Sequence, residues 1–158
     1  MKVVFSRKGF DSGTGGCPSP IFPDQRMTSL PIPGGAIARY SQLNSPVGPL
    51  GALVRDLTGK AFTGHEPAHL DPDLWADSFE RKPGWLPSLG QVGAAQSHLE
   101  AQGVGPGDLF LFFGWFRPVV QKEDGRWAFQ LGSKDMHTLF GYMQIGEVIR
   151  LGAKPDTR

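Results

Sequence analysis

The sequence predicts an α+β fold, either a small β-barrel or a strongly curved mixed sheet, with one clear helix and a long ordered N-terminal loop. Residues 107–116 and 137–148 carry the two strongest strand signals, because both are rich in aromatic side chains and bounded by glycine. A single strand cannot bury so many rings, so we expect the two to form one sheet with a pocket at its mouth. Residues 92–102 predict the helix, since apolar side chains recur at helical spacing before Gly103.

The N-terminal part begins with a strand and continues into an irregular segment. Residues 2–6 combine β-branched and aromatic side chains, which predicts a short strand. Residues 7–35 show no periodicity and hold many glycines and prolines, yet apolar anchors such as Phe10 and Phe22 are interleaved among them. Disordered linkers lack such anchors, so we expect an ordered loop. Residues 50–57 are ambiguous and compatible with a short helix.

A hairpin is predicted after the first aromatic strand. The pair Asp124-Gly125 is a strong short hairpin signal, and it connects that strand to a second one at residues 126–131. The last strand is expected at residues 139–151, followed by a polar tail at 154–158. A turn of helix is expected near residues 74–79.

The composition indicates one soluble domain over residues 1–158. The formal net charge is +1, so the overall charge favours neither nucleic acid nor a membrane surface. The 22 glycines and 14 prolines indicate many turns instead of long helices. Cys17 is the single cysteine, which excludes an intramolecular disulfide and fits a cytoplasmic location. No apolar stretch reaches membrane-spanning length, and the opening residues lack the apolar core of a signal peptide.

The segment after the first strand is the best candidate site. Glycines allow backbone amides to approach an anion, and basic side chains supply charge, which together make a phosphate-binding loop. No Gly-Lys-Ser/Thr follows the glycines, so this is not a Walker loop. The alternative is a glycine-rich turn with exposed charges and no binding role. The candidate nucleotide-binding residues here are Ser6, Arg7, Lys8, Ser12, Gly15 and Gly16.

A second group of candidates lies on the helix and the aromatic strands. Alternation along a strand sends Phe113 and Trp115 to one face, with Phe112 and Phe116 on the other. Trp115 near Arg117 suits base stacking with phosphate pairing. Gln96 and His98 are either surface residues of the helix or readers of a base edge. Most rings on such strands are core residues, which is the competing interpretation for Trp115.

The sequence does not predict a metal site in residues 65–73. His65, His69, Asp71 and Asp73 are spaced like possible ligands, but two prolines interrupt the segment and no zinc-enzyme pattern accompanies it. We expect Asp71 to cap the helical turn that follows it. No metal ligand is therefore assigned, and no cofactor is indicated.

The order of elements, from the helix and a Pro-Gly-Asp turn to the strand closing on Ile-Gly-Glu-Val, resembles the PUA-like superfamily of small β-barrels. Its EVE, ASCH, YTH and SRA types hold a nucleobase in an aromatic pocket. A more specific set of matches runs in order through nearly the whole chain: residues 5–13, 15–16, 18–21, 23–24, 29–33, 69–73, 90–91 and 95–99 and both aromatic strands. Together these resemble the nucleotide modification associated domain 3 family.

The resemblance implies a role in phage or bacterial systems that modify bases in DNA. Members of that family often continue beyond this length, so the chain is expected to be a short member or to lack a C-terminal portion. The leading hypothesis is a component that binds a nucleotide or a (modified) DNA base in an aromatic pocket, with the Gly/Arg/Lys loop binding the phosphate, and that either modifies or recognises it. For catalysis, Asp11 or His137 would be the general acid or base. The alternative is a non-catalytic structural or protein-interaction domain. The oligomeric state is not indicated.

Overall fold

The computed structural model describes residues 1–151, except for the side chains of residues 36 and 37, and the predicted polar tail lies outside this range. The strands are β1 (Val3–Arg7), β2 (Ser19–Ile21), β3 (Ile32–Arg39), β4 (Asn44–Ser45), β5 (Gly48–Pro49), β6 (Pro67–His69), β7 (Leu109–Gln121), β8 (Trp127–Phe129) and β9 (Met136–Gln144). The helices are α1 (Leu50–Leu57) and α2 (Gly93–Ala101), with 3₁₀ turns at Tyr40–Gln42 and Ala76–Ser78.

β7 is the strand to which every other strand of the main sheet is hydrogen bonded. β1 and β2 run parallel to it, whereas β8 and β9 run antiparallel. Leu109 pairs with both β1 and β9, and Phe116 pairs with both β2 and β9. Because a strand has only two edges, β1 and β2 share one edge of β7 and β9 occupies the other.

The barrel predicted from the sequence is not found, because the sheet stays open within residues 1–151. β1 and β2 pair only with β7, and no ladder in this part of the chain joins them to β9. A closed barrel requires each strand to pair on both of its edges. Here one long strand serves as the partner for all four neighbours. The chain therefore forms a mixed sheet, the other architecture predicted, together with two small antiparallel sheets, β3–β6 and β4–β5. The PUA-like resemblance is not confirmed.

The described chain has two helices, not one clear helix. α1 is the segment that the sequence left ambiguous, and its Leu50, Leu53, Val54 and Leu57 all face the core. These positions follow the i, i+3, i+4, i+7 spacing of an amphipathic helix. α2, the helix with the clearer stop signal, has no fully buried residue. Local capping signals therefore identified the helix that contributes less to the core.

The two faces of β7 differ in how deeply their side chains are buried. Phe110, Phe112 and Phe116 are at most 4% exposed, whereas the odd-numbered positions between Leu109 and Arg117 are half-buried. This is the alternation expected from the sequence. The even-numbered face is covered by the segment from Leu74 to Val104, which includes α2.

Among residues 1–151, the odd-numbered face is covered only at the C-terminal end of β7. There Val119 is 2% exposed and joins the core built from α1 and from Phe10 and Cys17 of the N-terminal segment. Burial thus switches from even to odd positions between Phe116 and Val119. The described part of the chain leaves the N-terminal half of the odd-numbered face uncovered.

The last strand begins and ends earlier than predicted, at Met136 and Gln144 instead of residues 139 and 151. After Gln144 the chain turns inward, because Ile145 is buried and its N–H donates to the carbonyl of Asp108 at 2.9 Å. Gly107 in turn donates its N–H to the carbonyl of Ile145 at 2.7 Å. These two bonds tie the end of β9 to the start of β7.

Candidate functional site

The uncovered part of the odd-numbered face, here called the open face, is a sheet surface rich in rings. Register places its members in rows across three strands: Phe5, Leu111 and Tyr142; then Arg7, Phe113 and Leu139; then Trp115 beside His137, with Arg117 at the end. Side chains opposite one another on a face lie about 4.5–5.5 Å apart at Cβ, so each row is in contact distance. The open face therefore gathers residues from β1, β7 and β9 that are far apart in the sequence.

A bulge in β9 completes this surface. Phe112 pairs with Gly141 and Phe113 with Leu139, so Phe140 is the extra residue. Phe140 packs on the covered face, 6.3 Å from the ring of Phe112 between centroids. Strict alternation would separate Leu139 from Tyr142, and the bulge places both on the open face.

The open face exposes large apolar side chains. Phe5 is 65% exposed, Tyr142 73% and Leu139 48%. A shallow depression of about 330 Å³ lies between Phe5, Phe113, His137 and Leu139, and the rings of Phe113 and His137 are 6.5 Å apart between centroids. Contiguous exposed apolar surface of this kind marks interaction sites.

Two arginines flank the rings. Arg7 is exposed on β1 beside Phe113. Arg117 is more firmly held, since its Nε donates to Ser133 Oγ at 3.1 Å and lies 3.8 Å from the carboxylate of Asp135. Its guanidinium also stacks over the ring of Phe129 at 5.7 Å. The predicted residues Arg7, Trp115, Arg117 and His137 are thus brought together on one surface.

Ser6 and Lys8 point to the other side of the sheet. Ser6 pairs with Phe112 of the covered face. Lys8 Nζ lies 2.6 Å from the carboxylate of Asp71, and both side chains are only 14% exposed. The charge of Lys8 is therefore matched by the carboxylate of Asp71, which also accepts the N–H of Gly90 in the covering segment at 2.9 Å.

Several backbone N–H groups of the loop after β1 are hydrogen bonded within the loop itself. Asp11 Oδ1 accepts the N–H groups of Gly13 and Thr14 at 2.8 and 2.6 Å, and the Asp11 carbonyl accepts the N–H of Gly16 at 2.9 Å. Ser12 is exposed between them. A side chain at Gly15, where φ is +94°, would overlap the buried ring of Phe10. The structure thus uses Asp11 and Gly15 to close the loop on itself.

Gln96 and His98 lie on α2, which helps to cover the face opposite the open one. Gln96 Nε2 donates to the carboxylate of Glu100 at 2.9 Å, and His98 is exposed. Neither residue lies among the rings of the open face.

The acidic residues of the segment 65–73 make internal contacts. Asp71 does not cap a helical turn as predicted, because the 3₁₀ turn begins only at Ala76. Its carboxylate instead binds Lys8 and accepts the N–H of Gly90 at 2.9 Å. Asp73 pairs with Arg81, whose guanidinium stacks on the ring of Trp85 at 4.2 Å. Among residues 1–151 no group of three or more potential ligands is placed to hold a metal ion.

Cys17 is expected to resist alkylation in the folded protein. Its side chain is buried in the core, and desolvation raises the pKa of the thiol to about 11, so the reactive thiolate is scarce at neutral pH. Reaction with a thiol-specific disulfide reagent at pH 8 should be slow in buffer and fast in denaturant. A rapid reaction in buffer would contradict the burial of Cys17.

Sequence reasoning missed Phe5, Leu139 and Tyr142. In the structure Val3, Phe5 and Arg7 are the more exposed positions of β1, but residues 3–5 are all apolar, so the sequence does not mark Phe5 as exposed. Nothing local reveals that this strand pairs with β7. Tyr142 was hidden by the bulge at Phe140.

The sequence profile described as nucleotide modification associated domain 3 matches residues 2–158. The chain belongs to this family. Membership in the nucleotide modification associated domain 3 family links the chain to nucleotide modification systems. No curated protein sequence and no solved structure is significantly similar to it. Within residues 1–151, neither helix is long and apolar enough to cross a lipid bilayer.

Proposed function

We propose that the open face binds a nucleotide or a nucleobase, free or within DNA, as a component of a base-modification system. The observation that supports this most strongly is the uncovered cluster of rings flanked by Arg7 and Arg117. Bases stack on aromatic side chains with an energy of about 1–3 kcal/mol per base, and guanidinium groups pair with phosphate oxygens. A nucleotide needs both contacts, and this surface offers both.

Trp115 and His137 are the central contacts in this proposal. They are paired across β7 and β9, beside the depression at Phe113. Arg117 lies two residues further along β7 with its guanidinium oriented by Ser133 and Phe129. A base stacked on Trp115 would therefore place its phosphate within reach of a positioned cation. The earlier candidates Lys8 and Asp11 are already engaged in internal contacts.

Recognition and modification differ in what they require of His137. A reader of modified bases needs the rings and the arginines only. A modifying enzyme also needs a group that moves a proton, and His137 is the exposed imidazole on the open face. Loss of turnover with retained binding in His137→Ala would indicate catalysis, whereas loss of affinity alone would indicate recognition.

The proposal is tested with a thermal-shift screen against mononucleotides, modified nucleosides and short DNA. A specific ligand raises the melting temperature because it binds only the native state. Trp115→Ala is expected to weaken binding of a ligand found in this screen about 5- to 150-fold, the equivalent of ~1–3 kcal/mol of stacking energy. Arg117→Ala is expected to weaken it about 10- to 150-fold, the equivalent of ~1.5–3 kcal/mol for a charged hydrogen bond to phosphate.

Trp75→Ala is the matched control, since Trp75 is 55% exposed in the segment that covers the opposite face. It should leave ligand affinity unchanged. Equal affinity in Trp115→Ala and the native sequence would contradict the proposal. If no ligand stabilises the folded protein, the exposed aliphatic side chains of the open face favour the protein-interaction alternative.

A further inference from the structure

A second surface, separate from the open face, concentrates positive charge. A cleft of about 680 Å³ lies between the end of α1 and the β7–β8 hairpin. Its charged lining residues are Arg55, Asp56, Lys60, Lys122 and Arg126, four cations and one acid, and Trp127 forms part of its wall. The whole chain has a formal charge of only +1. A concave, predominantly cationic cluster of this kind raises the local concentration of anions.

The backbone on both sides of the cleft is fixed. After α1 the chain reverses through Gly59 and Lys60, both with positive φ, and Lys60 donates its N–H to the carbonyl of Arg55 at 3.0 Å. Lysine seldom adopts this conformation, so the turn holds Lys60 in place at some conformational cost. On the other side, Lys122 donates its N–H to the carbonyl of Arg126 at 2.8 Å and closes the hairpin.

The single acid in the cleft is used to join the two walls. Asp56 is 9% exposed, and its carboxylate accepts the N–H of Trp127 at 3.1 Å. Arg126 pairs with Asp124 of its own hairpin, and Arg55 Nε lies 3.9 Å from the carboxylate of Asp56. Among residues 1–151, by contrast, no carboxylate lies within 4.0 Å of the ammonium groups of Lys60 and Lys122. These two lysines are therefore the charges available to an incoming anion.

We propose that this basic cleft binds the phosphates of a nucleic-acid strand. Gln121, at the end of β7 next to the cleft, is six residues beyond Trp115, or about 20 Å at ~3.3 Å per residue. A mononucleotide cannot span that distance, whereas a strand can place one base on the open face and its phosphates in the cleft. The assignment deepens the proposed function by naming a polynucleotide as the ligand, and the cleft uses none of the residues of the open face.

The experiment measures binding of a fluorescently labelled 20-nucleotide oligo(dT) by anisotropy over a series of KCl concentrations. Each phosphate contact in a single strand contributes about −0.7 to the slope of log K against log[salt]. The double variant Lys60→Ala/Lys122→Ala should flatten that slope by about 1.4. Binding of dTMP, followed separately by calorimetry, should be unchanged.

Lys82→Ala/Arg150→Ala is the control, because it removes the same charge from exposed positions outside the cleft. It should leave most of the native slope. An unchanged slope in the Lys60/Lys122 variant, or an equal change in both double variants, would overturn the assignment. Weaker dTMP binding in the Lys60/Lys122 variant would also overturn it, since the cleft would then serve a mononucleotide. If Trp115→Ala binds like the native protein while the Lys60/Lys122 slope is flattened, the open-face proposal fails and the cleft assignment stands.

Discussion

Replacing Phe112 by alanine is expected to lower the free energy of unfolding by about 3–5 kcal/mol, the usual cost of removing a fully buried aromatic ring. Phe112 is 0% exposed at the centre of the covered face. Its ring stacks on that of Phe110 with 5.9 Å between centroids and lies 6.3 Å from that of Phe140. Urea denaturation followed by circular dichroism measures the loss.

Phe113→Ala is the matched control, because it removes the same ring from the next residue of the same strand. Phe113 lies on the open face, so its loss should cost clearly less stability than that of Phe112. It should instead lower the affinity for the ligand identified by thermal shift. Equal destabilisation by the two substitutions would contradict the division of β7 into a covered and an open face.

Gly64→Ala is expected to cost about 2–5 kcal/mol, the sum of ~1–2 for alanine in a left-handed conformation and ~1–3 for overpacking. Gly64 has φ +88°, and a Cβ there would overlap the backbone of Gly51 in the first turn of α1. A Cβ at Gly51 would likewise meet the carbonyl oxygen of Gly64 at 2.7 Å. The two glycines allow the segment before β6 to lie directly against α1.

Gly107→Ala separates the two contributions. Gly107 has the same φ of +88°, but no atom of residues 1–151 outside its chain neighbours lies within 4 Å of the position that its Cβ would take. It should therefore lose only the conformational part, about 1–2 kcal/mol. If thermal or urea unfolding shows equal losses for Gly64→Ala and Gly107→Ala, the close approach of α1 does not contribute to stability.

The sequence was informative wherever the signal is local. Alternation along residues 109–117 correctly separated Phe112 and Phe116 from Phe113 and Trp115, because side-chain direction depends only on position within a strand. The Asp124-Gly125 turn was equally predictable from the sequence, since two residues determine its geometry. α1 was only an option, although its four core positions follow helical spacing, because flanking prolines and glycines obscure its ends.

The sequence was least informative about strand pairing. Whether a sheet closes depends on which edges meet, and β1 meets a strand more than 100 residues away. The barrel was therefore predicted from ring content and from the resemblance in element order, and residues 1–151 form instead the mixed sheet that was the alternative. The same limitation applies to the candidate site. Its members come from three strands, and the bulge at Phe140 determines which side of the sheet Tyr142 occupies.

The dependence of the main sheet on β7 has a consequence for synthesis of the chain. Val3 pairs with Leu109, and Lys2 donates its N–H to Asp108, across 106 residues. While the first hundred residues leave the ribosome, β1 and β2 lack their hydrogen-bonding partner and Phe5 is available to other nascent chains. Contacts of such high sequence separation form slowly, so overexpression at reduced temperature or with added chaperones should increase the yield of native protein.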